Sequence, residues 1–539
     1  MKSSIAAASI AFVCTAVTYA QLPESHCTPP PRDDGPALPA RILPGMGKVH
    51  FPISTGSEAA QAFFDQGVAQ MHSFWSWEAE RSFRQAAALD PEAPMPWWGV
   101  AMVAAGDFRP RFQLETYLDT QLPNKSWPQR SVDAARKAGQ LASVPGKATE
   151  LEKMYIDAIL ARRDATLDSP EEAYTGKLRA LVTVYPNEVE ARTYLALHLM
   201  RGYVLPEKTP RATTMEAVAI LRQLMKDAPD HPGVHHYVIH GFEGSTFARD
   251  AFLSCERYVE LAPNIPHAEH MPGHIYSQTG RWQDAVNAFE AAAANERYWL
   301  KEDATASNGH HGHNVHYLAT AYSFLGQYDK AINAARELLG YRESAKEVAT
   351  VDGPRIAYRQ GWFAMLRSIV QAERWDDLGQ LPPYDRPRQQ AWRHWAMGLA
   401  ATAKGDAATA RTHLREMDDS VDTLKEAIHR IPEELVVARM ELDGHIDAAA
   451  GQTDSGIAKL EAAVDRERHM IYGEPPLYPR PAAEALGRVA LKLGRADVAE
   501  RAFRTALDQY EESVPAKRGL EEALRRQHKP APTSAALHE

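Results

Sequence analysis

From about Ser57 onward, apolar residues return every three or four positions almost without a break, the spacing of one buried face of an α-helix. The helical pattern itself repeats. The stretches FDQGVAQMHSFWSWEAERSFRQAAALDP (64–91), HIYSQTGRWQDAVNAFEAAAA (274–294), HYLATAYSFLGQYDKAINAARELL (316–339) and ALGRVALKLGRADVAERAFRTAL (485–507) share one plan. A small residue sits inside a first helix, and a Gly or short turn follows. Next come an aromatic or small residue, an Ala, and an aromatic and a second Ala at helical spacing. This predicts antiparallel helix pairs stacked side by side, an all-α chain. The Ala that opens the second helix recurs at Ala217, Ala251 and Ala285, at intervals of 34 and 34, and again at Ala331 after 46. About a dozen residues, around 295–310, are therefore inserted in that unit. Further pairs are expected near 94–140, 150–186, 188–229, 356–380, 391–418 and 434–466.

A helix-turn-helix of 34 residues with small residues at the helix contacts resembles the tetratricopeptide repeat (TPR). The resemblance implies one α-solenoid, a right-handed superhelix over 51–527, rather than several domains, with histidine-rich central repeats at 231–320. Residues 1–20, MKSSIAAASIAFVCTAVTYA, read as a signal peptide: Lys2 supplies the charge, Ile5–Val17 the apolar core, and Thr18-Tyr19-Ala20 the cleavage site. A periplasmic or secreted protein is expected. The apolar run is too short for the ~20 residues of a membrane span. Residues 21–50 read as a Pro-rich leader and 528–539 as a disordered tail.

Counting back from the repeat alanines puts the histidines in register. His236 and His240 lie 15 and 11 residues before Ala251, and His270 and His274 lie 15 and 11 before Ala285. His316 lies 15 before Ala331, while His267 and His313 each lie 18 before their own Ala. Columns spaced 3 and 4 apart share one face of the first helix, the face that in TPR proteins generally lines the concave groove. Glu243 continues that face three residues beyond His240.

Histidines at i and i+4 can chelate one metal ion, and packed helices ~8–10 Å apart let imidazoles from neighbours converge. His236/His240 and His270/His274 would give four ligands, or three and an open position. His313/His316 offers another pair, and Glu243 a carboxylate ligand or general base. Imidazole and carboxylate suit Zn, Cu, Fe or Ni; copper, iron or zinc is the cofactor expected. A stacked seam of polar histidines gripping a peptide remains the competing reading, as TPR grooves carry polar residues for that purpose. His235 is off the columns and is expected to face a neighbouring helix. His231, His310 and His311 are expected in solvated loops, and His72 has a weaker claim on the groove.

The same residues resemble a large family of bacterial TPR proteins with the markers HPGxxHYxIHxxE, HMP[SG]HIYxxxGR, HNxH[FY] and YxEPP. Here they are His231-Pro232-Gly233 with His236, Tyr237, Ile239, His240 and Glu243, then His270-Met271-Pro272-Gly273-His274-Ile275-Tyr276 with Gly280-Arg281. His313-Asn314-Val315-His316-Tyr317 and Tyr472-Gly473-Glu474-Pro475-Pro476 complete the set, the resemblance running from about His50 to Leu524. Ser76 stands where the pattern would have a histidine in the first repeat. Proline freezes an extended approach to the helix that follows, so Tyr472, Glu474 and Tyr478 lie on a rigid loop. That loop is either a plain connector or a cap over the histidines. His267, Tyr237, Tyr276, Tyr472 and Glu474 are the candidate groove positions.

A formal charge of −10 and dispersed basic residues give no footprint for nucleic acid. Cys14 would leave with the signal, so Cys27 and Cys255 remain, enough for one disulfide but not for a thiolate metal site. GxSxG, P-loop, dinucleotide, CxxC and HExxH motifs are absent. Two readings follow: a metal site, serving either oxidation or hydrolysis of a small molecule or metal binding without catalysis, or a scaffold holding a peptide or partner protein.

Overall fold

The computed structural model describes residues 35–36, 38–104, 127–303, 307–353 and 355–530. Its N-terminal half runs α1 (Glu58–His72), α2 (Ser76–Leu89), α3 (Met95–Val103), α4 (Gln129–Ala142), α5 (Glu150–Arg162), α6 (Pro170–Val184), α7 (Val189–Leu199), α8 (Thr214–Asp227), α9 (Pro232–Phe242) and α10 (Phe252–Leu261). Then come α11 (Pro266–Gln278), α12 (Trp282–Glu302), α13 (Gly309–Phe324), α14 (Tyr328–Leu339), α15 (Ala345–Ala349), α16 (Ala357–Gln371), α17 (Pro387–Ala403) and α18 (Ala407–Ile428). The last are α19 (Glu433–Ala449), α20 (Thr453–Arg468), α21 (Ala482–Lys492), α22 (Ala496–Gln509) and α23 (Val514–Arg526). Consecutive helices pack on each other down the chain, giving the all-α TPR-type solenoid that the repeat pattern predicts. A two-residue antiparallel pair, Tyr203–Val204 with Thr209–Pro210, is the one departure from helix and turn that pairs strands among the described residues. The stretch 1–20 expected to be a signal peptide, Cys27 and the tail from 531 lie outside the described residues; Cys255 is buried, with no cysteine partner among them.

Two local devices carry the central repeats. Pro232 and Pro266 open α9 and α11, where a missing N–H costs nothing. Glycine allows close approach: a Cβ on Gly273 would lie 2.4 Å from the Phe289 ring, and one on Gly233 2.4 Å from the His72 ring. Gly233 occupies the column that holds His267 and His313 in the next two repeats, and the space it frees is filled by His72 from α1. The inserted residues after Ala285 make no loop of their own for most of their length. They extend α12 to 21 residues, and the extension carries Glu296 to the start of α13.

The apolar core divides into two large clusters, one from Met46 to Ile275 and the other from Trp282 to Leu524, with a small third one of Ala293, Val315 and Leu338. The division falls between α11 and α12, and imidazoles take inward positions on α9, α11 and α13. The YxEPP loop bridges the two halves. At one end Tyr478 donates its hydroxyl proton to Glu441, Arg480 donates to the same carboxylate, and Arg367 donates to the Pro476 carbonyl. At the other end Tyr472 accepts from Gln278 of α11.

Glu441 is fully buried, which alone would raise its pKa. Arg480, with hydrogen bonds from His445 and Tyr478, instead holds it down at about 2. A carboxylate depressed by folding contributes stability above its unfolded value of about 4.5 and loses it as pH falls toward 2. Glu441→Gln should therefore cost about 3–5 kcal/mol near neutrality. The gap in Tm between the two proteins should narrow through that window. Thermal melts at pH 7, 4 and 3 check this; a constant gap would refute the ion-pair anchor.

Candidate metal centre

The structure gathers the in-register histidines into two adjacent groups of three, each offering one ring nitrogen within 4.8 Å of the others. The first is His236, His240 and His267; the second is His270, His274 and His313. All six are buried, none more than 5% exposed. This differs from one four-ligand centre built of His236/His240 and His270/His274. The neighbouring repeat contributes an imidazole from its own 18-before column to each pair, and the rings of His267 and His270 stack 5.7 Å apart where the groups meet. His316, expected among the ligands, belongs to neither group. It turns toward α16, where its Nδ1 pairs with Gln360 at 3.0 Å, and burial pushes its pKa down to about 3.

The hydrogen-bond partners allow the protons to be counted. In the first group a chain of three imidazoles runs between two acceptors: the His72 backbone carbonyl, His236, His267, His310 and the Glu296 carboxylate. His236 Nδ1 is 2.5 Å from the carbonyl, the two Nε2 atoms of His236 and His267 are 3.0 Å apart, and His267 Nδ1 is 3.0 Å from His310 Nε2. Glu296 is a carboxylate, held to about 2 against burial by His310 and His311. Three neutral imidazoles bring three protons to four gaps, so one gap sets lone pair against lone pair unless a further positive charge occupies it.

The second group meets its gaps differently. Asn314 Nδ2 donates to the Phe289 carbonyl at 2.9 Å, which turns its Oδ1 to His270 Nδ1 at 2.7 Å. His270 Nδ1–H must therefore donate, and its Nε2 lone pair points at His274 Nε2, 2.6 Å away, and His313 Nε2, 3.2 Å away. His274 Nδ1 in turn faces Glu243 at 3.0 Å and Glu474 at 2.9 Å. Two neutral imidazoles bring two protons to three gaps, and the third proton is the one His274 holds between Glu243 and Glu474. A metal ion with bonds of ~2.0–2.1 Å separates its ligand nitrogens by roughly 3.0–3.4 Å, close to most of these spacings.

Burial first, then neighbouring imidazoles, push His267 and His270 well below their ordinary range. Burial would do the same to His274, but Glu474 and Glu243 raise it to about 9. Glu243 itself is driven well above the carboxylate range, by burial and then by Glu474 beside it. One Glu243 oxygen meets His240 Nδ1 at 2.9 Å and the other His274 Nδ1, so this single carboxyl orients a histidine in each group.

A third cluster behaves differently. Tyr237 donates to His72 Nδ1 and the Val234 N–H to His231 Nδ1, while both Nε2–H groups donate to Glu190. Every nitrogen is satisfied with neutral rings, so His72, Glu190 and His231 form a structural clasp. His231 is accordingly a helix cap rather than a solvated loop residue. His310 and His311 likewise lie in the first turn of α13, not in a loop, because the lengthened α12 offers Glu296 to both. His235 faces α10 through Ser254. Tyr237 is in the core, and Tyr276 packs on Arg281 and Phe252, away from the imidazoles. Glu474 does reach them, at His274 Nδ1, and Tyr472 stands behind it against Gln278. Ser76, in place of the expected histidine, is buried in the first turn of α2. Asn314, Glu296 and Phe74 were not singled out from sequence, although Asn314 and Phe74 stood within recognised motifs, and His310 was read as a solvated loop residue.

Tetratricopeptide-repeat models match residues 317–344 and 484–536, segments lying outside the histidine-bearing stretch 231–316. No curated protein sequence matches the chain. Among solved structures, human IFIT1 in a dimer with PPP-AAAA is 13% identical, covering 88% of this chain and 92% of its own, at a TM-score of 0.33. Yeast Tom70 is 14% identical, covering 87% of this chain and 96% of its own, at a TM-score of 0.34.

Proposed function

We propose that this tetratricopeptide-repeat protein binds two transition-metal ions, one in each group of three histidines, and uses them in oxidation or hydrolysis of a small molecule. The observation that carries the reading is the convergence of three buried imidazoles in each group; the chain through His236 and His267 also lacks one proton, whereas the neighbouring His72–Glu190–His231 clasp lacks none. Three imidazoles, one fewer than the four ligands of a structural site, are the donor set of catalytic centres. Asn314, Glu243 and Glu474 act as the partners that fix ligand tautomers. Glu243, a carboxyl that burial and the neighbouring Glu474 push well above its ordinary range, is suited to exchange a proton with a bound substrate. Copper, iron and zinc all suit imidazole ligands. We further propose export to the periplasm, on the pattern of residues 1–20.

The TPR solenoid also supports an interaction role, with a peptide or protein in its groove. The burial of the six imidazoles argues against a peptide being gripped by them. No helix among the described residues is long and apolar enough to cross a membrane. The test is elemental analysis of protein purified from the periplasm without chelator or nickel resin. About two equivalents of one transition metal are expected. A protein that stays empty after incubation with copper, iron and zinc would overturn the reading.

A further inference from the structure

A cavity of ≈290 Å³ opens beside the first histidine group, with His267 and His310 in its wall. That is near the lower end of the size range of small-molecule sites. Its other walls come from three places far apart in sequence: the leader at Leu38–Leu43, the start of α2, and the end of α12. Trp75, Trp77 and Trp299 line it, the rings of Trp75 and Trp299 meeting edge to face at 5.0 Å.

Phe74, which lines this space beside His267, packs against the first histidine group. Its ring centroid is 4.4 Å from that of His236, 5.4 Å from His240 and 5.7 Å from His267. Phe74 holds φ at 54° just past the end of α1, a left-handed position where glycine is usual and a bulky side chain is an outlier. The fold thus accepts backbone strain to set an aromatic ring there.

The polar groups of the cavity restrict its occupant. Arg81 is 8% exposed and donates through its two terminal nitrogens to Glu78 at 2.7 Å and Asp303 at 2.6 Å. Its Nε–H is buried with no acceptor among the described residues, and a buried donor left so is costly. Around it stand the carboxylates of Glu78, Asp303, Glu296 and Glu302, against the guanidinium groups of Arg81 and Arg41. An anion entering here would meet more like charge than opposite.

We infer that this cavity binds an uncharged planar aromatic molecule, its ring against Trp75 and Trp299. As a binding site it stands without the metal; as the substrate's site, with His267 in its wall, it rests on the metal reading. Stacking on indole and the surplus of carboxylates together select phenols and aromatic carbonyl compounds over carboxylates of the same ring.

Isothermal titration calorimetry on the full mature chain tests it, using 2-naphthol and 2-naphthoate as matched probes on metal-free and zinc-loaded protein. We expect one-to-one binding of 2-naphthol to both forms, at least tenfold weaker binding of 2-naphthoate, and at least tenfold loss of 2-naphthol affinity in Trp299→Ala. Should that variant fail to fold by circular dichroism, Leu300→Glu, at the same wall, takes its place with the same expectation. No saturable binding, equal affinity for the two probes, or undiminished binding in the folded variant would overturn the inference. Zinc uptake without 2-naphthol binding sinks the cavity alone, and 2-naphthol binding without uptake of any metal sinks only the metal reading.

Discussion

Chelation is expected to lower the Tm of the wild-type protein and to leave the Tm of a His240→Ala/His274→Ala variant where it was. The variant removes one ligand from each group, and less than a tenth of the wild-type metal content should remain. An ion present at a hundred times its Kd stabilises the folded state by about 2.7 kcal/mol, and at a thousand times by about 4 kcal/mol. In a repeat protein that stabilisation falls mainly on the units joined by the ligands, here α9, α11 and α13. Losing two buried imidazoles also leaves cavities, at about 2–4 kcal/mol each, so the variant's Tm alone decides nothing. The double difference does: the effect of chelator on wild type minus its effect on the variant. A value of zero, with no metal in either protein, would leave the proton deficit filled by protons and return the solenoid to a purely interacting role.

The fold was legible because its signal is redundant. Four stretches with the same helix-turn-helix plan fix the architecture even where single repeats drift. The register of His236, His240, His270 and His274 was legible for the same reason, since a column counted from the repeat alanines needs no tertiary information. Legibility ended where partners come from other elements. Nothing local says that His316 should turn to Gln360 on α16 while His313, three residues earlier, joins His270. The choice follows from which neighbour is packed against each face of α13. His310 and His311 looked like loop residues because the insertion before them has no partner in sequence. It became helix because α12 simply continued. His72 and Glu190 close a clasp over 118 residues of chain, a separation that no periodicity reports. The YxEPP loop was recognisable as rigid, yet whether it covered the histidines depended on how far the solenoid curves.

Asn314→Leu provides the most searching test of the tautomer argument, since it keeps all six imidazoles and roughly the same volume. It strips the acceptor from His270 Nδ1–H and the donor from the Phe289 carbonyl, two buried groups left unsatisfied at about 1–3 kcal/mol each. More tellingly, the neutral His270 ring is then free to place its proton on Nε2, which removes the lone pair aimed at the second group. Metal affinity there should fall about 10–100-fold, while the first group keeps its ion, so content should drop from about two equivalents toward one at limiting metal. Glu190→Gln is the matching variant in the clasp. It turns an amide N–H toward His72 or His231, both of which already donate there, and should cost about 1–3 kcal/mol of stability with metal content untouched. Elemental analysis at limiting metal, with thermal melts of both chelated proteins, separates the outcomes. Equal metal content in Asn314→Leu and wild type would mean that His270 is not a ligand; loss of metal in Glu190→Gln would mean that the clasp is part of the centre after all.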